Sequence, residues 1–258
     1  MNQEILSIVQ ARVDSSRLSN KVFADISGKP LIERVLDRVR QSQYIDNIVI
    51  ATSENDLDIN ILNWCNDNKI LCCRGSENNV LERFYRCAEI HRADIIVRIT
   101  ADDPFKDPDI IDYAIKLLLK GKFDYVSNTI TPTFPEGIDV EVFTFSALKK
   151  AFYGAKLSSE KEHVTPYIWK NKKLFSIYNF ENTENLSKHR WTIDYSEDLD
   201  FVRAVYNFFK DKEGVFSMQD ILSLLQQYPE LNNIQKKIQR NEGYIKSINM
   251  EKKNEKNW

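Results

Sequence analysis

Near its N-terminus the chain reads Ile5-Leu6-Ser7-Ile8-Val9 and then Gln10-Ala11-Arg12-Val13-Asp14-Ser15-Ser16-Arg17-Leu18-Ser19-Asn20-Lys21. The first five residues have the make-up of a buried strand, and residues 31–39 carry apolar positions at the i, i+3, i+4 spacing of an amphipathic helix. Between them lies a long polar loop. In open parallel sheets ligands bind beyond the carboxyl ends of the strands, so an anion site is expected in this loop. Arg12, Arg17 and Lys21, with the hydroxyls of Ser15 and Ser16 and several backbone N–H groups, can surround a polyphosphate. Arginine supplies forked hydrogen bonds and lysine a compact charge. Leu18 and Val22 can anchor the loop to the core. A solvated basic turn has the same composition, and spacing alone leaves both readings open.

Outward from this loop the pattern alternates. Residues 48–51 read as a second strand, 57–64 as a helix, 80–88 as a helix, 94–100 as a strand and 110–119 as a helix started by Asp107-Pro108. Such alternation predicts an α/β fold, a mostly parallel sheet between helices. Beyond Asp124 the extended pieces shorten, at 125–128, 139–144, 175–180 and 191–194, with a helix at 146–152, and are expected to add antiparallel strands to the same sheet. From Ser196 the chain reads as helical. Nothing resembling a linker or repeat divides it, so residues 1–248 are expected to form one domain and the charged residues 249–258 a frayed tail.

With 258 residues, 42% hydrophobic and 29% charged, the chain can bury a sizeable core, which excludes disordered and collagen-like classes. Its apolar runs fall far short of the roughly 20 residues of a membrane-spanning helix. The N-terminal residues carry no basic cap of a secretory signal, so a cytoplasmic location is expected, without a membrane partner. A net charge of −2 offers no global attraction for nucleic acid, and any anion site must be local. Cys65, Cys72, Cys73 and Cys87 show no CxxC spacing and are expected to be reduced, packed thiols rather than a zinc site or a bridge.

Two strand-then-acid turns stand out. Residues 95–100 run into Ala101-Asp102-Asp103-Pro104, and Trp191-Thr192-Ile193-Asp194 runs into Ser196-Glu197-Asp198-Leu199. A carboxylate at such a turn can hold Mg²⁺, which shares one or two carboxylates with substrate phosphates. It can equally cap a helix, and Asp194 taken alone favours that reading.

Residues 10–21 resemble the RxxSxRLPGK signature of the ketodeoxyoctulosonate and sialic acid cytidylyltransferases, and more closely the QARMGSTRLPGK opening of the spore coat polysaccharide biosynthesis protein F family. Arg12, Ser15, Arg17, Leu18 and Lys21 match position for position. Asp14, Ser19 and Asn20 depart from the pattern; Asn20 replaces a glycine and tolerates left-handed backbone. The resemblance continues through Arg74-Gly75-Ser76-Glu77 with Val80-Leu81-Glu82-Arg83, the Ala101–Pro104 turn, Phe134-Pro135-Glu136-Gly137-Ile138-Asp139-Val140-Glu141-Val142, Glu162-His163-Val164-Thr165-Pro166, the Asp194 turn and Asn241-Glu242-Gly243-Tyr244.

The resemblance implies a Rossmann-like nucleotide-diphospho-sugar transferase fold, a homodimer, and transfer of CMP from CTP to an acidic or phosphorylated sugar with release of pyrophosphate. Gln10, Ala11, Arg12, Ser15, Ser16, Arg17 and Lys21 would then hold the triphosphate, Asp102 and Asp194 the catalytic Mg²⁺, and Lys21, Arg17 and Asp102 would carry catalysis. Arg74, Ser76 and Arg98 fall on the nucleotide side, while Arg83 divides between that role and a surface salt bridge. Asp139 and Glu141, two apart in an extended piece, are expected to face one side and bind sugar hydroxyls together with Glu162 and His163. Lys21 is expected to be exposed. The alternatives are a sugar-1-phosphate nucleotidyltransferase using another nucleoside triphosphate, a metal-dependent glycosyltransferase of related fold, and a non-catalytic nucleotide-binding protein.

Overall fold

The computed structural model describes residues 3–14, 17–235 and 238–255. β1 (Ile5–Gln10) is covered on both faces: Ile5 and Val9 belong to one apolar cluster, Leu6 and Ile8 to the other. That is why this strand reads as a nearly continuous apolar run rather than an alternation. A small hairpin, β2 (Asp25–Ile26) and β3 (Lys29–Pro30), leads into α1 (Leu31–Val39). β4 (Asn47–Ser53) pairs parallel to β1, and after α2 (Ile59–Asp67) comes β5 (Leu71–Gly75), parallel to β4. α3 (Val80–Ile90) then carries the chain back to the opposite side of β1, where β6 (Ile95–Thr100) pairs parallel with it.

The second half adds α4 (Pro108–Lys120), β7 (Tyr125–Ser127), β8 (Glu141–Thr144), α5 (Phe145–Gly154), α6 (Ser158–His163), α7 (Pro166–Lys170) and β9 (Ile177–Asn179). α8 (Ser196–Phe208), α9 (Met218–Gln227) and α10 (Glu242–Glu255) follow. The main sheet has seven strands in the order β5-β4-β1-β6-β8-β7-β9. One face packs on α1, α4, α8 and α9 through residues such as Leu31, Val35, Ile115, Phe201 and Ile221; the other packs on α3, α5 and α7 through Phe84, Leu148 and Ile168. This is the mixed, mostly parallel α/β architecture that the sequence pattern predicts.

Four expectations need correction. β8 is antiparallel to β6 and β7, as expected, but β9 runs parallel to β7. Residues 191–194 form no strand; Trp191 N donates to Glu136 O (2.7 Å) and Ile193 N to Asp102 O (2.9 Å), so this extended piece is laid across the sheet mouth. β8 starts at Glu141, leaving Asp139 just outside it. Of the charged segment expected to fray, residues 249–255 are helical, as part of α10, and residues 256–258 lie outside the described residues.

The chain leaves β1 toward β4 on one side and returns to β6 on the other, and Gln10 and Thr100 are the last paired residues of β1 and β6. Their carboxyl ends therefore open a crevice at a topological switch point, where ligands bind in such sheets. Residues 11–14, residues 17–24 and the Asp102 turn share this mouth.

Candidate active site

The loop after β1 is pinned from both sides. Val13 N donates to the buried Asp58 carboxylate (2.6 Å), which also accepts from Ser53 at the end of β4, and Asn20 N donates to Val13 O (3.0 Å). Asn20 takes the left-handed conformation, φ 58°, which asparagine tolerates better than most residues, and a single turn of 3₁₀ helix, Lys21–Phe23, follows. Val22 is buried in the core and Leu18 packs against it. Ser15 and Ser16 lie outside the described residues. Arg12 and Asp14 are exposed.

Lys21 is buried, 7% exposed, contrary to the exposed position expected. Its Nζ donates to Asp102 Oδ2 (2.8 Å), Asp194 Oδ1 (3.0 Å) and Ile193 O (2.6 Å), which uses all three ammonium donors. Arg17 donates to Asp194 Oδ1 (2.6 Å) and to Glu242 Oε2 (3.1 Å). Arg190 donates to Asp194 Oδ2 (2.9 Å) and also meets Glu136 and Asp198. Burial opposes the charge of Asp194, but Lys21 and Arg17 outweigh it and hold this carboxyl well below the usual range. At Asp102 burial likewise opposes ionisation, and Lys21 outweighs both burial and the neighbouring Asp194. The same pair of acids raises Lys21 against its own burial. Two acids from turns that are distant in sequence thus point at one ammonium.

On the β4 to β5 side, Arg74 donates to Ser53 O (2.9 Å) and Asn55 O (3.1 Å), while Ser76 Oγ accepts from Asn79 N (3.1 Å) ahead of α3. Arg83 is no surface salt bridge: it is 3% exposed, has no carboxylate at ion-pair distance among the described residues, and donates to Ser76 O (3.3 Å). Burial, reinforced by Arg12 but opposed by Asp58, lowers its pKa to about 10. Arg98 does not join this group. It pairs with Glu141 and donates to Gln10 Oε1 (3.1 Å), on the opposite side of β1.

That opposite side holds a cavity of about 380 Å³ beside Asp102 and Asp194, closed by the N-terminal turn of α10. Arg98, Asp139, Glu141, His163, Trp169 and Tyr244 help to line it. Glu141 accepts from Arg98, Tyr125 Oη (2.6 Å) and Thr165 Oγ1 (2.5 Å), and although burial opposes its charge Arg98 holds it ionised. Asp139 pairs with Arg240, and burial raises its pKa. His163 Nε2 meets Ser247 Oγ (3.0 Å) and burial pushes its pKa down to about 4, so the ring is neutral at pH 7. Glu162 is a correction: it stands outside the lining, half-exposed, and accepts from Ser247 Oγ (2.7 Å). Val164, with φ 70° and ψ −55°, makes a tight turn in which Thr165 N donates to His163 O (2.8 Å); that strained backbone sets both neighbours toward the cavity.

Sequence reasoning missed Arg190, Lys106, Arg240, Asp58 and Glu242. Lys106, fully buried, pairs with Asp103 Oδ2 (2.8 Å) and donates to Asp139 O. For Arg190 the signal was its i, i+4 spacing from Asp194, which outside a helix carries no warning, and Glu242 lies in the matched Asn241–Tyr244 segment, which names no role for it.

An open α/β sheet with clustered cations and carboxylates at its switch point holds the kinds of charge that nucleotidyl transfer requires. The chain matches the cytidylyltransferase family over residues 6–245 and belongs to it. It is 33% identical over 234 residues to the spore coat polysaccharide biosynthesis protein SpsF of Bacillus subtilis, covering 88% of this chain and 96% of that protein. An uncharacterized protein of Methanocaldococcus jannaschii is 37% identical over 239 residues, 92% of this chain and 96% of the other. A cytidylyltransferase structure from Leptospira borgpetersenii superposes with a TM-score of 0.86 at 30% identity, covering 92% of this chain and all of that one. The resemblance carried by residues 10–21 thus extends across the chain, and the protein is a nucleotidyltransferase.

Proposed function

We propose that this nucleotidyltransferase transfers CMP from CTP to a small acidic or phosphorylated sugar, releases pyrophosphate, and serves the synthesis of a surface polysaccharide or glycoconjugate. The observation that carries the reading is the convergence of Lys21, Arg17, Asp102 and Asp194 at the switch point. Family membership supports cytosine as the base.

Mg²⁺ fits these residues, because Asp102 Oδ2 and Asp194 Oδ1 both lie within 3.0 Å of one point, the Lys21 Nζ, and a pair of convergent carboxylates is the donor set this ion takes. Asp102 and Asp194 would hold it; when bound, it neutralises phosphate charge and polarises the α-phosphoryl group. Lys21 and Arg17 then turn from the carboxylates to the phosphates, with Arg12 at the outer end of the loop. An acceptor oxygen in the cavity attacks the α-phosphorus in line, a new P–O bond forms as the bond to the bridging oxygen breaks, and the acceptor proton passes to solvent. No covalent protein intermediate is required. Asp139, Glu141 and His163 meet sugar hydroxyls at the cavity wall, Glu162 supports His163 through Ser247, and Arg74 and Ser76 face the nucleoside.

Family membership sets aside the glycosyltransferase reading. Among the described residues no helix is long and apolar enough to cross a membrane, and a cytoplasmic location suits four free cysteines. The reading includes a homodimer, which light scattering tests by mass. CTP, UTP, GTP and ATP should be screened with Mg²⁺ against sugar acids and sugar phosphates, with pyrophosphate as readout. Release with CTP and one acceptor class is expected. Release with another nucleotide and not with CTP would move the protein to the sugar-1-phosphate alternative, and nucleotide binding without turnover across the panel would favour the non-catalytic one.

A further inference from the structure

We propose that Cys73, Cys87 and His91 form a binding site for Zn²⁺, on the far side of the nucleotide half from the Asp102–Asp194 pair. The sheet itself divides the four cysteines. β5 is pleated, so Cys72 and Cys73 point to opposite faces: Cys72 packs in the same cluster as Cys65 of α2, and Cys73 in the same cluster as Cys87 of α3. The vicinal pair therefore never acts as a unit. Cys87 and His91 are four apart at the end of α3, which puts both on the helix face that looks at β5.

His91 Nε2 lies 3.5 Å from Cys73 Sγ, and Cys73 Sγ, Cys87 Sγ and a ring nitrogen of His91 are all within 4.8 Å of one another. A tetrahedral ion with Zn–S near 2.3 Å and Zn–N near 2.0–2.1 Å separates its ligands by about 3.5–3.8 Å, so only a small contraction is needed. Cys87 is fully buried, while Cys73 and His91 are half-buried and leave an approach from solvent. Two thiolates cancel the charge of a divalent ion, so the site needs no further counter-ion. Sulfur and imidazole donors select zinc over the hard cations that the carboxylate pair favours. Three protein ligands leave a fourth position for water. The ion would staple β5 to the C-terminal end of α3, two elements whose opposite ends carry Arg74 and the turn of Ser76 and Asn79.

The test is titration of the full, thiol-reduced protein with ZnCl₂ alone, by calorimetry and thermal melting, with Co²⁺ as the spectroscopic probe. One Zn²⁺ per chain with a Kd of about 1 μM or tighter is expected. Co²⁺ should give thiolate charge-transfer and tetrahedral ligand-field bands. Cys73→Ser and His91→Gln should each weaken binding by at least about 30-fold, while Cys72→Ser leaves it unchanged. Both weakened positions are half-buried, so circular dichroism can confirm their folding, and the buried Cys87 need not be altered. Absence of stoichiometric binding by the reduced wild type, binding that survives in the folded Cys73→Ser and His91→Gln variants, or equal loss in Cys72→Ser would overturn the proposal. A Cys73–Cys87 disulfide in protein purified under reducing conditions would do the same.

Discussion

Lys21 Nζ lies 2.8 Å from Asp102 Oδ2, across 81 positions of sequence. The same ammonium also donates to Asp194, so the cation expected on the phosphates and the carboxylates expected on the metal neutralise each other. This arrangement stores three charged groups in one half-buried cluster, and substrate binding must exchange the partners. Lys21→Ala is therefore expected to do two things. Turnover should fall by about 10² or more, through loss of a preorganised donor to the developing phosphate charge. Stability should fall by about 1–3 kcal/mol, because two acids lose a buried partner. Millimolar Mg²⁺ should recover more of the melting temperature in the variant than in the wild type. Pyrophosphate release and thermal melting with and without Mg²⁺ check these outcomes.

Arg190 orients Asp194 by holding Oδ2 while Oδ1 faces Lys21. Arg190→Lys keeps the charge but not the fork to Glu136, Asp194 and Asp198. We expect Mg²⁺ dependence of activity to shift to roughly 10-fold higher concentration, with CTP affinity at saturating Mg²⁺ little changed. A uniform loss of kcat at every Mg²⁺ concentration would show that Arg190 does not act through the proposed Mg²⁺ site at Asp194.

His163 gives a pH signature. Burial first, and nearby Arg98 and Arg12, lower its pKa to about 4 from 6.5, against the pull of Glu162 and Glu141. The unfolded chain thus takes up this proton more readily than the folded one. Its contribution to stability is full above about pH 6.5 and is lost as pH falls toward about 4, by at most about 3 kcal/mol. In His163→Gln that part of the acid dependence should vanish. Urea unfolding of both proteins at pH 7.5 and pH 4.5 measures the difference.

Gly137 has φ 104°, and a Cβ there would stand 2.7 Å from the Trp191 carbonyl carbon and oxygen. Gly137→Ala is expected to destabilise by about 2–4 kcal/mol, from the strained φ and the forced shift. Because that shift moves the Glu136–Arg190 bridge and with it Asp194, activity should fall even where the variant remains folded; denaturation and pyrophosphate release at low temperature separate the two effects.

Where a residue's role is local, the sequence showed it. β1 and β6 were readable as buried strands because both faces are covered, and Asn20 was readable as a position open to left-handed backbone because it stands at the glycine of the resembling motif and asparagine tolerates that conformation. The Asp102 and Asp194 turns were found through family motifs, and they do converge. Long-range pairings were not legible. Lys21 was expected to be exposed, since nothing near it in sequence reveals that two distant acids bury it. Glu162 and His163 are adjacent in sequence, yet only the positive φ at Val164 and the register of α10 decide which of them faces the cavity. The parallel pairing of β9 to β7 also depends on the route of the whole 144–176 connection, which carries no local mark.

The most direct test of the central claim, that the β1–β6 mouth is the nucleotide site, is calorimetric titration of the wild type, Arg17→Ala and Asp102→Asn with CTP at fixed Mg²⁺. The account predicts binding by the wild type, a loss of at least about 10-fold in each folded variant, and weaker binding of ATP and GTP. Equal CTP affinity in all three folded proteins would contradict it.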